Sequence, residues 1–236
     1  MLIEVIGCTG AGKSTLCRRA VDRLRADGLD ARLLHTGAAR FDLVALPGFV
    51  ALMGRRPALA AFAARVLLRD ADSPLAALNL FRHFARKMGM AARLARRRAP
   101  GPLVWEEGAL HAAHNLFVHV RRAPRRAEIE RFARAVPKPD LVVYVRASVD
   151  TLLARTLARG HRRAGASIAR ARAFTAHAWE TFEILAATDG VRERVLAVDN
   201  DVDGEGALAR LGAELADRLA AALGARLARD PRRATA

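Results

Sequence analysis

The sequence predicts an α/β fold in which helices cover both faces of a five-stranded parallel sheet. Five short apolar runs alternate with amphipathic helical stretches, which is the pattern of parallel strands joined by crossover helices. No internal repeat or low-complexity linker divides the 236 residues, so we expect a single domain over residues 1–236. The predicted strands are residues 2–6, 31–35, 102–106, 141–145 and 195–198.

A glycine-rich loop follows the first predicted strand and matches a phosphate-binding pattern. Residues 7–14 read GCTGAGKS, which satisfies G-x-x-x-x-G-K-[ST] at every fixed position, and a helix is predicted over 14–26. In this context backbone N–H groups and the helix dipole form an anion site. Lys13 is expected to reach the β- and γ-phosphates, and the Ser14 hydroxyl to ligate Mg²⁺. The loop therefore predicts that the chain binds a nucleoside triphosphate.

The net charge of +16 favours anionic ligands or surfaces. Only three of the 40 basic residues are lysine, at positions 13, 87 and 138, and alanine is abundant. We interpret this bias as the codon composition of a GC-rich genome, and most arginines at helical spacing as a solvated face. A functional basic surface is the alternative, so a nucleic-acid partner stays open but is not favoured.

Several features predict a cytoplasmic protein without a membrane segment. Because Met1 is followed at once by the first strand, we expect no signal peptide. No apolar run reaches the roughly 18 residues that a membrane span needs, since the longest candidate, residues 49–68, contains arginines and a proline. Cys8 and Cys17 are expected to be thiols, as in a reducing compartment. A homodimer is compatible with the sequence.

The region between the second and third strands predicts a helical insertion, residues 47–98. Two long helices are expected, over about 49–70 and 74–98, with Ser73 or Asp72 as the N-cap of the second. We expect this insertion to cover the sheet edge as a lid and to form one wall of an acceptor pocket. The candidate acceptor-binding residues, for which a solvated helix face is the alternative, are Arg40, Phe41, Arg82, His83, His111 and Arg163.

Two acidic residues end the third predicted strand. A phosphotransferase needs a carboxylate near the γ-phosphate, either to orient Mg²⁺ or to take a proton from the attacking hydroxyl. If the third strand lies beside the first, Glu106 and Glu107 both project towards the loop. We expect one of them to be the base, with a slight preference for Glu106, and Glu106 to share Mg²⁺ with Ser14. An ordinary charged loop is the alternative.

Arginines cluster after the fourth predicted strand. Arg155 and Arg159 are four residues apart and share a helix face, and Arg163 follows in a basic turn. Guanidinium groups stabilise the charge that spreads over a phosphoryl group during transfer. Residues 155–170 are therefore predicted to form a basic lid, although a general excess of arginine also produces such clusters.

Together these motifs resemble the thymidylate kinase and deoxynucleoside kinase group of P-loop kinases. The resemblance rests on the loop 7–14, Glu106-Glu107-Gly108, the segment 139–145, the arginine region 153–163 and the closing strand 195–199. It implies the three-layer P-loop NTPase sandwich, lid positions for Arg155, Arg159 and Arg163, and an adenine cradle at Asn200. It also implies that the ATP phosphates bind to Gly7, Thr9, Gly10, Ala11, Gly12, Lys13, Ser14, Thr15 and Arg155.

The chain departs from that group on the acceptor side. Thymidylate kinases usually carry Asp-Arg-Tyr at the end of the third strand and many deoxynucleoside kinases carry Glu-Arg-Ser, whereas this chain has Glu-Glu-Gly. We therefore expect an ATP- and Mg²⁺-dependent kinase of a nucleotide, a nucleoside or another small hydroxyl compound. The alternatives are a P-loop ATPase that drives a protein or nucleic-acid partner, a polynucleotide kinase, and a P-loop fold without kinase activity.

Overall fold

Five parallel strands form one sheet in the order β2-β3-β1-β4-β5, which confirms the predicted fold class. The computed structural model describes residues 1–35, 40–97, 101–119, 122–159 and 167–229, with residues 40, 41, 226, 227 and 229 described by their backbone alone. The strands are β1 (Leu2–Ile6), β2 (Arg32–His35), β3 (Leu103–Glu106), β4 (Leu141–Arg146) and β5 (Val195–Asp199).

The central position of β1 decides what surrounds the glycine-rich loop. β1 pairs with β3 on one side, where Val5 is opposite Glu106, and with β4 on the other, where Ile6 is opposite Tyr144. Because all the strands are parallel, their carboxyl ends lie at one edge of the sheet. The loop after β1 and the acidic end of β3 therefore meet at that edge, as the sequence predicts.

Helices surround this sheet. They are α1 (Lys13–Ala26), α2 (Arg40–Arg55), α3 (Pro57–Asp70), α4 (Pro74–Leu94), α5 (Ala112–Phe117), α6 (Arg126–Ala135), α7 (Val149–Ala158), α8 (Ile168–Ala187) and α9 (Glu205–Arg229), with a 3-10 turn at Arg192–Arg194. α1 packs against α9, while α5, α6 and α7 pack around α8. Large side chains such as Trp105, Phe132 and Phe182 are fully buried between these elements.

Two helix predictions are wrong in their extent. The stretch predicted as one helix over 49–70 is two helices, because Pro57 lacks an N–H group and disfavours a helical conformation of the residue before it. Arg56 accordingly has φ −139° and ψ 57°. The helix predicted over 109–121 is shorter, since α5 covers only Ala112–Phe117. Residues 98, 120 and 121 of these predicted helices lie outside the described part.

The lengths and compositions of the described helices bear on whether any of them could cross a membrane. No single helix among them is both long and apolar enough to cross a bilayer. One pair of consecutive helices, Asp42–Arg55 and Pro57–Asp70, has the required length and composition when taken together, but the pair is bent by 106°.

The start of α4 follows the predicted capping chemistry. The Ser73 hydroxyl accepts a hydrogen bond from the backbone N–H of Ala76 at 3.1 Å, and Pro74 occupies the first helical position. This cap satisfies one N–H that the helix itself leaves without a partner. α4 then runs to Leu94.

α2 and α4 approach each other closely through two glycines. A Cβ atom built on Gly48 would lie 2.3 Å from the carbonyl oxygen of Gly89, and one built on Gly89 would lie 2.1 Å from that of Ala45. The opposing atoms are backbone, so they cannot move aside as a flexible side chain would. The position of α2 against α4 therefore depends on the absence of these two side chains.

We expect the substitution Gly89→Ala to destabilise the fold by about 1–3 kcal/mol, the usual cost of forcing extra atoms into a packed contact. Gly54→Ala is the matched control, because it lies in the same helix pair with open space around it. Alanine there should be neutral or stabilising, by up to about 1 kcal/mol. Urea unfolding measures both changes, and an unchanged midpoint for Gly89→Ala would contradict the close contact.

Candidate active site

The P-loop, residues 7–14, is folded around conformations that only glycine adopts easily. Gly7 has φ 139°, and a Cβ atom there would lie 2.3 Å from the carbonyl oxygen of Val145 on β4. Gly12 has φ 84° and lies against the buried side chain of Asn200, whose Nδ2 would be 2.3 Å from a Cβ atom. The loop therefore lies directly against the backbone of β4 and against the Asn200 side chain after β5, which side chains at Gly7 and Gly12 would prevent.

Lys13 lies inside the curve of this loop. Its side chain is buried, and its ammonium group donates to the carbonyl oxygens of Gly7 and Cys8, both at 3.0 Å. The same nitrogen lies 3.7 Å from Oε1 of Glu107. The P-loop thus concentrates a cation and a row of backbone N–H groups at the N-terminus of α1.

A cleft of about 100 Å³ opens over the loop. Its wall includes P-loop residues together with one carboxylate and one guanidinium from other elements: Thr9, Gly10, Gly12, Lys13, Ser14, Thr15, Glu107 and Arg159. Arg159 follows α7 and is exposed. Of the residues assigned to phosphate binding from the sequence, six line this cleft, while Ala11 is fully buried behind it.

Glu106 and Ser14 form a pair of oxygen donors at the start of α1. The Ser14 hydroxyl donates to Oε1 of Glu106, whose carboxylate is buried at the end of β3. The other oxygen, Oε2, lies 3.0 Å from Nδ1 of His35. Within the described residues Oε2 has no partner with the alignment of a hydrogen bond. A buried carboxylate oxygen that lacks an aligned hydrogen-bond donor is a suitable cation ligand.

Glu107 differs from its neighbour in exposure and in conformation. Its side chain is 50% exposed, and its backbone has φ 60°, in the left-handed region that non-glycine residues rarely adopt. Desolvation in the pocket opposes its ionisation, but the nearby charges of Lys13 and Lys87 hold the pKa of Glu107 below its usual value. This carboxylate is ionised at neutral pH and faces the cleft, and the strained backbone is of the kind that concentrates at functional sites.

A group of buried polar side chains lies next to the cleft. Glu4, on β1, accepts a hydrogen bond from the backbone N–H of His111 at 2.9 Å, and burial raises its pKa to about 7. Nδ1 of His111 lies 3.2 Å from the ammonium nitrogen of Lys87 on α4. Nε2 of His111 lies 3.3 Å from the Gly7 carbonyl oxygen and 3.7 Å from Oε1 of Glu107. These groups connect β1, α4 and the P-loop.

Arg155 and Asn200 support the P-loop from behind. The Arg155 guanidinium donates to the carbonyl oxygens of Asn200 at 2.9 Å and Val202 at 2.7 Å, both in the segment after β5. Asn200 is fully buried, and its Nδ2 donates to the carbonyl oxygen of Ala11 at 2.7 Å. Asn200 therefore binds the loop directly, and Arg155 fixes the segment that carries Asn200. Neither side chain is part of the described cleft wall.

The predicted acceptor stripe on α4 lies against α2. Arg82 donates to Asp42 at 2.7 Å, and the guanidinium of Arg86 lies 2.7 Å from Nδ1 of His83. Arg82 and His83 are not part of the described cleft wall, whereas His111 lies buried close to it. Arg40 and Phe41 begin α2 with only their backbone described, and Arg163 lies outside the described residues.

Sequence reasoning missed Lys87, Glu4 and His35 as members of this site. Lys87 carried a signal, because it is one of only three lysines in a chain that otherwise uses arginine. Glu4 carried another, since it is the charged member of the apolar strand LIEVI. A lysine and a glutamate at positions that would otherwise favour arginine and an aliphatic residue indicate specific contacts.

Comparison with solved structures identifies the fold. Deoxyadenosine kinase from M. mycoides, in a structure with products dCMP and dCDP, superposes with a TM-score of 0.55 at 14% sequence identity over 94% of this chain and 100% of that one. A second structure of that kinase with dATP (TM-score 0.45, 13% identity, 91% and 99% coverage) and shikimate kinase from Acinetobacter baumannii with shikimate (0.44, 14%, 93% and 93%) are more distant.

Two sequence-level comparisons give no match. No family model matches the chain, and no curated protein matches it significantly. The similarity therefore lies in the fold, and it agrees with the resemblance derived from the P-loop and the end of the third strand. The chain has the fold of the P-loop kinases.

Proposed function

We propose that the chain is an ATP-dependent kinase that transfers the γ-phosphoryl group to a hydroxyl group of a small acceptor, such as a nucleoside or a nucleotide. The observation that carries the proposal is the cleft in which the P-loop, Glu107 and Arg159 meet. Such a cleft offers backbone donors and cations to a triphosphate and a carboxylate to an incoming hydroxyl. The structural neighbour is named for a nucleoside substrate, which supports an acceptor of this size.

In this proposal Lys13 binds the β- and γ-phosphates. Its ammonium group makes hydrogen bonds to two carbonyl oxygens, and a phosphate oxygen is a stronger acceptor than a neutral carbonyl. When the lysine turns to the phosphates, the Gly7 carbonyl oxygen keeps a partner in His111. Arg159 lies on the cleft wall, so its guanidinium contributes positive charge where the transferred group becomes more negative.

Magnesium fits the Ser14–Glu106 pair. Mg²⁺ uses one or two carboxylates together with substrate phosphates rather than a full set of protein ligands, and the pair supplies a hydroxyl and a carboxylate at the start of α1. The buried Oε2 of Glu106 has no aligned donor within the described residues, which suits a cation ligand. When bound, the ion would neutralise charge on the β- and γ-phosphates.

Glu107 is the base in this proposal, which reverses the slight preference that the sequence gave to Glu106. Glu106 is buried and bonded to Ser14, whereas Glu107 is half exposed on the cleft wall. A base must be within hydrogen-bond reach of the hydroxyl that it deprotonates. The Glu107 carboxylate is open to a hydroxyl that enters the cleft, while Glu106 keeps its contact with Ser14.

Two measurements test the function together. Calorimetry with Mg²⁺ and ATP should show binding, and γ-labelled ATP offered with panels of nucleosides, nucleotides and sugars should give a labelled acceptor. ATP consumption should rise with a productive acceptor, because a kinase limits the access of water to its site. Lack of ATP binding would contradict the proposal, and turnover stimulated only by a protein or nucleic acid would favour the ATPase or polynucleotide kinase alternative.

A further inference from the structure

His111 links a helix of the insertion to the first residue of the P-loop. On one side its Nδ1 lies 3.2 Å from the ammonium nitrogen of Lys87 on α4, and on the other its Nε2 lies 3.3 Å from the Gly7 carbonyl oxygen. His111 and Lys87 are both more than nine-tenths buried. Bulk water is therefore excluded as a competing partner for either contact.

The chemistry of the two neighbours fixes the position of the imidazole proton. An ammonium group has donors and no acceptor, so Nδ1 next to Lys87 must carry a lone pair. A carbonyl oxygen only accepts, so Nε2 next to Gly7 must carry the proton. The two ends of the ring independently require the same neutral Nε2–H tautomer.

The charges around the ring agree with a neutral imidazole. Burial, followed by the charges of Lys87 and Lys13, lowers the pKa of His111 well below its usual value. Burial also lowers the pKa of Lys87, to about 8, while Glu107 and Glu4 favour its charged form. Lys87 is therefore still charged at neutral pH, and His111 is not.

The remaining neighbours fix the main chain and the ring plane of His111. Glu4 accepts from the backbone N–H of His111, so its carboxylate fixes the main chain there. His114 stacks on the ring with centroids 5.5 Å apart, and Phe182 packs against it at 5.2 Å. Oε1 of Glu107 lies 3.7 Å from Nε2, on the protonated side of the ring.

We propose that Lys87 is a positioning residue of the phosphoryl-transfer site: it fixes His111 as the Nε2–H tautomer, which holds the Gly7 carbonyl of the P-loop in place beside the Glu107 carboxylate. This inference rests on the proposed function. Lys87 acts on the P-loop through His111, because its nitrogen contacts the imidazole, and its charge also helps to hold the pKa of Glu107 below its usual value.

The contact between His111 and the Gly7 carbonyl matters most when Lys13 leaves that carbonyl to bind a phosphate. In this structure the Gly7 carbonyl oxygen accepts from both Lys13 and His111. If Lys13 turns to a triphosphate, His111 remains as the donor for a carbonyl that would otherwise be buried without a partner. Loss of the Nε2 proton would leave a lone pair facing both the Gly7 carbonyl and Glu107, so both groups would shift.

The first measurement needs no substrate. In long-range ¹H–¹⁵N spectra of protein labelled at histidine, the His111 ring should carry its proton on Nε2 at neutral pH. The signal is assigned by its loss in His111→Gln, which separates it from those of the other six histidines. A ring protonated on Nδ1, or on both nitrogens, would overturn the inference even if every lysine variant failed to fold.

The second measurement follows the Lys87 variants. Lys87→Met should convert part of the His111 population to the other tautomer and lower kcat by roughly 10- to 100-fold, as a misplaced reactive group does, while Mg²⁺–ATP affinity changes little. Lys87→Arg retains a donor-only cation, so it should keep the tautomer and recover part of kcat. Lys138→Met is the control, since that lysine donates to Arg134 and Val136 instead.

The outcomes separate this inference from the proposed function. If the wild-type protein turns over ATP and Lys87→Met changes neither kcat nor the His111 signal, the inference fails and the kinase stands. If Lys87→Met and Lys138→Met lower kcat equally, the effect is general destabilisation and the inference also fails. A wild-type protein with the expected tautomer but no turnover would overturn the proposed function and, with it, the positioning role.

Discussion

Replacement of Lys13 by alanine is expected to lower turnover by roughly 10³-fold or more, because charge and positioning supply most of the barrier reduction in phosphoryl transfer. The side chain lies inside the P-loop with its nitrogen 3.0 Å from two loop carbonyl oxygens, at the N-terminus of α1. Turnover of ATP with a productive acceptor measures the loss, and calorimetry shows how much of it is lost affinity.

Lys138→Ala is the control for this variant. Lys138 is another of the three lysines. It contacts the carbonyl oxygens of Arg134 and Val136 at the end of α6, and it is not part of the described cleft wall. It should retain turnover within a few-fold, and both variants should keep a cooperative thermal unfolding transition. Unchanged ATP affinity and unchanged turnover in Lys13→Ala would remove the basis of the proposed function.

The sheet and the P-loop were predictable because their signals are local. A run such as LIEVI followed by GCTGAGKS specifies strand, turn and helix within 14 residues, and glycines at positions 7 and 12 are needed for the close approach to β4 and Asn200. The pairing of β3 with β1 was only assumed in the sequence argument, and the structure supplies it. Given that pairing, the parallel direction of the strands places Glu106 and Glu107 at the loop.

The roles of individual arginines were less predictable, because a guanidinium at a helical position has many available acceptors. Arg155 has the spacing of a lid residue, yet in this structure it donates to carbonyl oxygens after β5, and Arg82 pairs with Asp42 across the α2–α4 contact. These partners are distant in sequence, and the general excess of arginine hides any residue that is selected for a contact. Lys87 is easier to single out, because lysine is rare in this chain.

The structure of the insertion was also only partly predictable from the sequence. Apolar periodicity predicted helices there, and Ser73 with Pro74 marked the start of α4. The bend at Arg56 was missed because the apolar pattern continues across Pro57, although the proline itself signals a helix boundary. The close packing of Gly48 on Gly89 depends on which helix faces meet, and periodicity does not contain that information.

The two acidic residues after β3 should respond differently to the same substitution. Glu107→Gln removes the proposed base and should lower kcat by about 10²- to 10⁴-fold, with ATP affinity within a few-fold of wild type. Glu106→Gln weakens the proposed magnesium pair and should raise the Mg²⁺ concentration for half-maximal rate by roughly 10- to 100-fold, as loss of a metal-site partner does.

Titration of the rate with Mg²⁺ for both variants is the measurement that separates the two roles. Excess Mg²⁺ should restore much of the activity of Glu106→Gln, because the Ser14 hydroxyl and the substrate phosphates remain as ligands. It should restore none in Glu107→Gln, because no other carboxylate is part of the described cleft wall. A Glu107→Gln enzyme with full rate would exclude this residue as the base, and a Glu106→Gln enzyme that Mg²⁺ cannot rescue would transfer that role to Glu106. The outcome depends on the observed geometry, in which one carboxylate is buried against Ser14 and the other is half exposed beside Lys13.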